Sequence, residues 1–379
     1  MRYKIIILLL ILIYPFRTNA QDHFSSSSEN ISLLFIGDIM GHDDQIKSAE
    51  NPETGTYSYE DVFSYIRDEI SEADVSIANF EVTLGGPPYR GYPTFSSPPA
   101  LAAACSNAGI DVLVTANNHA ADRGKAGILS TIYRLDSLGI AHTGTFTDMA
   151  ARDTLNPMII EKNGFSLALL NYTYGTNGLK VPPPAIVNML DMNQVGFDIE
   201  KASKKNPDMI ILFLHWGIEY DTIPTKTQTD MAEYFFSRGV DLIIGSHPHV
   251  LQRMEWVPCK TKEMKDRITV YSLGNFVSNQ RTIRRDGGAM VRIDLSRESD
   301  SIFVKNAGYY LTWVYTPVEN NRKKFCILPC SDFENRPEFF DRPEDYNKMM
   351  LFFRNSRNLL GSQNKGINEL FFKNNYLLK

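Results

Sequence analysis

The chain has 379 residues, 43% of them hydrophobic and 22% charged, which is the composition of a globular protein able to bury a large core and not of a disordered chain. That length fits one large domain, or one domain with appendages. The formal net charge of −5 leaves no basic footprint, which excludes duplex nucleic acid as a partner.

The N-terminus carries Arg2 and Lys4, then the apolar run from Ile5 to Ile13, then a polar stretch ending in Ala20. A short basic region, a short apolar core and a small residue predict a secretory signal over residues 1–20, cleaved after Ala20. The run is too short to span a bilayer comfortably, and an uncleaved anchor is the alternative. Either way the body of the chain is expected outside the cytoplasm, in the periplasm or at the cell surface. The Ser-rich segment from Phe24 to Asn30 makes a loose start to the mature chain. Cys105, Cys259, Cys326 and Cys330 show no Cys-x-x-Cys spacing, and Cys105 sits in an Ala-rich run that reads as a buried helix.

From Ile31 the pattern alternates. Strands are predicted at 31–36 and 75–78, an amphipathic helix at 59–70, and a helix at 98–108 opened by a Ser97 cap and proline. A strand at 112–115, a helix at 126–138 closed by Gly139, and strands at 157–161 and 166–171 follow. The helix 197–204 leads to a strand at 209–214, and the helix 227–237 to a strand at 242–244. Strand and helix at this spacing predict an α/β domain of parallel strands with covering helices. The runs 268–273, 289–295, 301–304 and 309–315 follow one another without helices, which predicts antiparallel strands in a second sheet packed on the first. The main domain is expected over residues 31–320, and a C-terminal extension over 331–379 with one amphipathic helix at 344–360. Residues 174–189, with three consecutive prolines, are predicted as a long loop without regular structure.

Chemistry-bearing residues gather at the ends of these strands. Asp38 follows Phe35-Ile36-Gly37, and Glu81 follows Ile77-Ala78-Asn79-Phe80; Asn118 and His119 come after the strand 112–115. His215 follows Ile211-Leu212-Phe213-Leu214, and Gly245-Ser246-His247-Pro248-His249 closes the run 240–244. Pro248 disfavours the helical region for His247 and predicts an extended, stiffened loop there. A lone Asp after a strand is ordinarily a turn or cap residue, and a lone His-x-His is as often two polar loop residues. The joint pattern is different. The carboxyl ends of parallel strands are where open α/β sheets hold ligands, and carboxylate, amide and imidazole together suit Mn, Fe or Zn. Trp216 and Glu219, just past His215, are candidates to support the site, although a Trp at this place is as readily a core residue.

The series Gly37-Asp38-Ile39-Met40, Asn79-Phe80-Glu81, Ala116-Asn117-Asn118-His119-Ala120-Ala121-Asp122, His215-Trp216-Gly217, Gly245-Ser246-His247-Pro248-His249-Val250 and Tyr271-Ser272-Leu273-Gly274-Asn275-Phe276 resembles the capsule-synthesis CapA family of poly-γ-glutamate synthesis proteins. The resemblance spans residues 33–276, and that family is similar to the calcineurin-like metallophosphoesterases. It implies a four-layer α-β-β-α sandwich, with the C-terminal extension added, and a metal centre of one or two divalent ions at the strand ends. It implies Asp38, Glu81, Asn118, His215, His247 and His249 as ligands and His119 as the residue assisting the leaving group, with His42, Asn79, Asp122, Trp216, Glu219 and Asn275 as secondary candidates. Two positions depart from the phosphoesterase pattern. Met40 stands where a histidine is expected, with His42 a displaced substitute, and Ala120 stands where an acid is expected, with Asp122 two residues on.

Two functions are compatible with this reading. One is a metal-dependent hydrolase or transferase of the cell envelope acting on an anionic surface polymer. The other is a non-catalytic envelope protein that binds such a polymer or its membrane synthase through a degraded metal site. Peripheral association with the membrane is compatible with both.

Overall fold

A computed structural model describes residues 29–259, 265–298 and 301–372. The expected signal segment lies outside the described residues, among which no helix is long and apolar enough to cross a membrane. In chain order the principal strands are β1 (Glu29–Ile39), β2 (Val75–Phe80), β3 (Val112–Val114), β4 (Ala141–Thr143), β5 (Met158–Lys162), β6 (Phe165–Thr173), β7 (Met209–His215), β8 (Leu242–Ser246), β9 (Met254–Val257), β10 (Arg267–Val270), β11 (Asn275–Val277), β12 (Gly287–Glu298), β13 (Ser301–Tyr315) and β14 (Cys326–Pro329).

They form two large sheets. The first runs β14-β13-β12-β1-β2-β3-β4, with β1 to β4 parallel to one another and β12, β13 and β14 antiparallel, while β11 continues beside the end of β1. The second runs β9-β10-β8-β7-β6-β5, with β10, β8, β7 and β6 parallel. The strands late in the chain therefore do not build a second sheet of their own, as the helix-free runs had suggested. β12 and β13 extend the first sheet on the far side of β1, and β10 pairs in parallel with β8.

The layering follows from which face of each strand is apolar. Leu33, Phe35, Val75, Ile77, Val112 and Val114 of the first sheet meet Leu167, Leu169, Ile211, Phe213, Leu242 and Ile244 of the second in one buried core. The alternate residues Leu34, Ile36, Ala78 and Leu113 face outward against Phe63, Ile66, Ile70, Leu101 and Leu135 of the helical segments over the first sheet. Likewise Ala168, Leu170, Ile210 and Leu212 pack on Val195 and Ile199 of the helix Met192–Ser203 and on Ala232 and Phe235 of the helix Lys226–Ser237. Strands buried on both faces read as continuous hydrophobic runs, which is what the sequence shows. The result is a four-layer α-β-β-α sandwich. The helix Pro343–Gln363 joins it by placing Met349, Phe352, Phe353 and Leu360 in the inter-sheet core.

Several local expectations change. The helix expected at 59–70 is a 3-10 turn at Glu60–Phe63 and a short helix at Arg67–Ser71. Its apolar pairs Tyr59/Val62 and Phe63/Ile66 stand three apart, a spacing that a three-residue turn serves as well as an α-helix. The runs 301–304 and 309–315 are one strand, β13, because a bulge between Asp294 and Leu295 leaves Lys305 as the extra residue opposite β12. The loop 174–189 contains a two-residue strand, Ile186–Val187, paired with Thr145–Phe146. Ser97 makes no capping bond to the helix that starts at Ala100. Cys105 and Cys330 are buried free thiols, and Cys259 and Cys326 are also unpaired.

Candidate metal centre

Both sheets deliver side chains to one place, beyond the carboxyl ends of their parallel strands. Asp38 comes from the end of β1, Glu81 from the residue after β2, and Asn118 and His119 from the turn after β3. His215 is the last residue of β7, and His247 and His249 follow β8. All seven are buried. Close approach makes this packing work: a Cβ on Gly37 would lie 2.2 Å from the Gly274 carbonyl oxygen, so glycine lets β1 and the chain leading into β11 meet beside Asp38.

Asp38 accepts a hydrogen bond from Asn79 Nδ2 through Oδ1 (2.8 Å), while its Oδ2 lies 3.1 Å from His249 Nδ1. His249 Nδ1 also lies 3.0 Å from Asn275 Oδ1, so its proton is shared between two oxygens and the Nε2 lone pair is turned toward Glu81 Oε1, 3.7 Å away. His215 Nε2 lies 2.9 Å from Asn118 Oδ1 and 3.6 Å from Glu81 Oε1, and its Nδ1 accepts from Ser246 Oγ (3.1 Å) and Asn79 Nδ2 (3.2 Å). His247 lies between them, its ring centroid 4.7 Å from that of His215 and 6.0 Å from that of His249.

Four buried atoms in this cluster are reached by no N–H or O–H donor: both carboxylate oxygens of Glu81, Oδ1 of Asn79 and Nδ1 of His247. Unpaired buried polar groups are costly, and a carboxylate is the costliest to leave so. Burial, then the neighbouring charges of Asp38 and Glu219, push the Glu81 carboxyl well above its usual range. Burial and the neighbouring imidazoles hold His215 well below the ordinary histidine range, and His247 is lowered to about 3 for the same reasons. Imidazoles kept neutral and a carboxyl group that only a nearby positive charge would keep ionised are the donor types a divalent cation takes. Ligand atoms of Glu81, His247 and His249 lie within 4.8 Å of one another, as do those of Asp38, Glu81 and His215. Glu81 belongs to both sets, the place a bridging carboxylate would occupy. The donor set therefore fits one or two divalent transition ions.

The backbone here is strained. His247 and His249 have φ of 97° and 59°, so the His-x-His loop is not the extended segment expected from Pro248. Pro248 keeps His247 out of the right-handed helical region, and the chain takes the left-handed side instead, a conformation that non-glycine residues hold where the surroundings over-determine them.

The remaining candidates divide. His119 Nδ1 lies 2.8 Å from Asp122 Oδ2, and the ring stands edge-on to Phe95 with centroids 4.6 Å apart. Asp122 therefore contacts His119 from two residues beyond Ala120. His42 caps the helix Asp43–Ala49; its Nδ1 accepts from the Asn279 amide (3.2 Å), and burial lowers its pKa to about 4. It lies outside both ligand sets. Asn79 and Asn275 contact the ligands directly, as described. Trp216 is turned away into the core beneath the second sheet, its Nε1 donating to the Tyr271 carbonyl (3.0 Å). Glu219 is exposed, yet near enough for its charge to act on Glu81.

Residues not singled out from the sequence complete the surroundings. Ser246 orients His215, Phe95 backs His119, and Asn177 accepts from Asn118 Nδ2 (3.3 Å). Tyr174 lies over His247 with centroids 4.5 Å apart, and Tyr220 stands 6.2 Å from the ring of His249. The long loop that begins at Tyr174 was legible as a loop, but its return onto the site was not.

The family model described as bacterial capsule synthesis protein PGA_cap matches residues 32–280. The chain is 29% identical over 287 residues to the capsule biosynthesis protein CapA of Bacillus anthracis, covering 73% of this chain and 66% of that protein. It is 26% identical over 291 residues to the PGA biosynthesis protein CapA of Bacillus subtilis (strain 168), covering 73% and 71% respectively. The chain thus spans just under two thirds of the length of the first of these relatives. Among solved structures, the calcineurin-like phosphoesterase YfkN from Bacillus subtilis aligns with a TM-score of 0.46 at 12% identity, over 87% of this chain and 98% of that one. The NAD nucleotidase NadN of Haemophilus influenzae aligns with a TM-score of 0.47 at 12% identity, over 91% and 58%. The matched span 32–280 contains every residue of the cluster from Asp38 to Asn275, and the chain belongs to the bacterial capsule synthesis protein PGA_cap family.

Proposed function

We propose that this chain is a metal-dependent hydrolase or transferase of the cell envelope, acting in the synthesis or export of an anionic, capsule-like polymer of the poly-γ-glutamate type. Membership of the capsule synthesis family supports the envelope role. The observation that carries the chemistry is Glu81, a fully buried carboxyl group whose oxygens no N–H or O–H donor reaches and which faces Asp38, His215 and His249. Asp38, Glu81, Asn118, His215, His247 and His249 would hold one or two ions of the Mn, Fe or Zn class. A divalent ion bound there supplies a Lewis acid for a phosphoryl or acyl oxygen and lowers the pKa of a bound water.

The chain's own residues do the rest. Asn79 and Asn275 hold Asp38 and His249 in orientation, as outer-shell partners of ligands do. Asp122 Oδ2 occupies the Nδ1 edge of His119 (2.8 Å), which leaves Nε2 as the ring atom available to exchange a proton. Such a group can give its proton to a departing oxygen or nitrogen. Tyr174 lies against His247 and Tyr220 beside His249, one aromatic ring at each histidine of the His-x-His loop.

Elemental analysis of the natively purified protein should find a bound transition metal, and an Asp38→Ala, His247→Ala double variant should lose it. Equal and metal-free results for both would end this reading. The second reading, a polymer- or synthase-binding protein without turnover, is favoured by one observation: Met40 is buried in the apolar core, and Nδ1 of His42 is taken by the Asn279 amide. It predicts the metal-free outcome.

Export completes the proposal. Arg2, Lys4, the run from Ile5 to Ile13 and Ala20 support a cleaved signal, with the mature protein in the periplasm or at the cell surface. N-terminal sequencing of natively produced protein should begin at Gln21; retention of Met1 in the membrane fraction would replace it with an anchor.

A further inference from the structure

Arg285 and Tyr220 form a second feature at the mouth of the centre. The Arg285 guanidinium lies 3.3 Å from the centroid of the Tyr220 ring, and Tyr220 in turn is 6.2 Å from the ring of His249. Among the described residues Arg285 makes no ion pair and no side-chain hydrogen bond. Arginine stacked on an aromatic face keeps its planar fork of donors free at the edge, the arrangement that recognises a carboxylate with two parallel hydrogen bonds.

The position of this pair is fixed by the centre itself. The carbonyl of Arg285 accepts from Asn275 Nδ2 (2.8 Å), and the other end of that amide contacts His249. The Tyr220 amide donates to the Pro248 carbonyl (2.8 Å), between the two histidines of the loop. Tyr220 has φ of 72° and Arg284, next to Arg285, has φ of 73°. One member of the stacked pair and the neighbour of the other are thus held in the left-handed region, a strain of the kind that clusters at active sites and ligand clamps. Glu219 stands on the hydroxyl side of Tyr220, where burial and then the contact with Glu219 push the phenol up to about 12. Exposed Tyr174, Tyr220 and Tyr92 offer apolar contact around the opening for the aliphatic part of a chain.

We infer that Arg285 stacked on Tyr220 is a carboxylate-binding subsite, which holds one acidic side group of a polymer while a neighbouring linkage reaches the cluster around Glu81. This rests on reading the centre as one that acts on an anionic polymer, and it adds the group recognised and the residue that recognises it. Glu219, of like charge to the ligand, disfavours an acidic group on its side and sets the direction in which the polymer lies.

The test is binding, which is read independently of turnover. The full mature chain is titrated calorimetrically with a glutamate decamer, an uncharged glycine-serine decamer and inorganic polyphosphate at low and high salt. The glutamate decamer should bind and weaken as salt rises, and the uncharged decamer should not bind. Arg285→Ala should weaken glutamate binding about ten- to a hundredfold, the loss expected for charge-assisted hydrogen bonds. Arg285→Lys should fall between, because the charge survives without the fork. Glu219→Gln should tighten binding a few-fold. Unchanged thermal stability and metal content of Arg285→Ala show that the loss is local. Glu81→Gln should lose metal yet keep decamer binding, which separates the subsite from the centre. The inference is overturned if the decamer does not bind the wild-type chain, if Arg285→Ala binds it equally well, if Glu219→Gln weakens it, or if polyphosphate binds more tightly than glutamate.

Discussion

At the scale of single residues, the division of labour between Asn118 and His119 is the sharpest feature of the centre. They are consecutive, yet Asn118 faces His215 and His119 faces Asp122 and Phe95. His119→Ala should lower kcat by about two to four decades, the usual contribution of a general acid, while metal content stays at the wild-type level. A His119→Ala protein that loses its metal would make His119 a ligand instead. The residues that follow apolar runs, Asp38, Glu81, Asn118, His215, His247 and His249, were legible because a strand end is written in the sequence as a change from β-branched residues to polar ones. Tyr174, Tyr220, Ser246 and Phe95 were not. Their places depend on how loops return over the site, and nothing in local periodicity encodes that return. Trp216 shows the converse: of the two readings its place beside His215 left open, support of the site or core, the structure has the core one, because alternation along an extended chain sends its ring to the opposite face.

At the scale of elements, the parallel strands were found from their hydrophobic runs, whereas their assignment to sheets was not, because a run buried on both faces carries no mark of its neighbours. Asp241, just before β8, shows how one residue ties three strands. Its Oδ2 accepts from the Ile210 amide (2.8 Å), its own amide donates to the Ile210 carbonyl, and its carbonyl accepts from Ile268. Burial raises its pKa from 3.8 to about 6, with Lys265 acting in the opposite direction. A carboxyl whose folded pKa is raised binds its proton more tightly in the folded state. Its contribution to stability is fully present below about pH 4 and is lost as pH rises through about 6. Asn at this position keeps the oxygen that Ile210 needs and cannot ionise. Asp241→Asn should therefore gain stability relative to wild type between pH 4 and pH 7.5, by about 2–3 kcal/mol, the equivalent of the raised pKa. Paired chemical-denaturation curves at the two pH values measure it; a difference that does not change with pH would show that Asp241 is not the titrating group.

At the scale of the whole molecule, the chain after β14 is part of the inter-sheet core. Met349, Phe352, Phe353 and Leu360 are buried there, Arg357 bridges Glu334 and Glu369, and Asn368–Glu369 adds a short parallel pairing to β13. Truncation after Pro329 should expose this apolar surface and leave the protein insoluble or unfolded, as judged by soluble yield and circular dichroism; a stable, soluble truncated protein would make the segment dispensable. The sequence marked this region by its change in composition, which says nothing of where its helix packs. The order of the first sheet has one more consequence, in time rather than in space. β1 is held on one side by β2, soon after it in the chain, and on the other by β12, from Ile36 against Met290 to Glu29 against Arg297. Contacts of such long sequence separation form late and make folding slow. As the chain is synthesised, β1 cannot pair on that side until some 250 further residues have followed it, Met290 standing against Ile36. The first sheet therefore closes on that side only once β12 has been made, and the export proposed above would have that interval in which to meet an unclosed sheet.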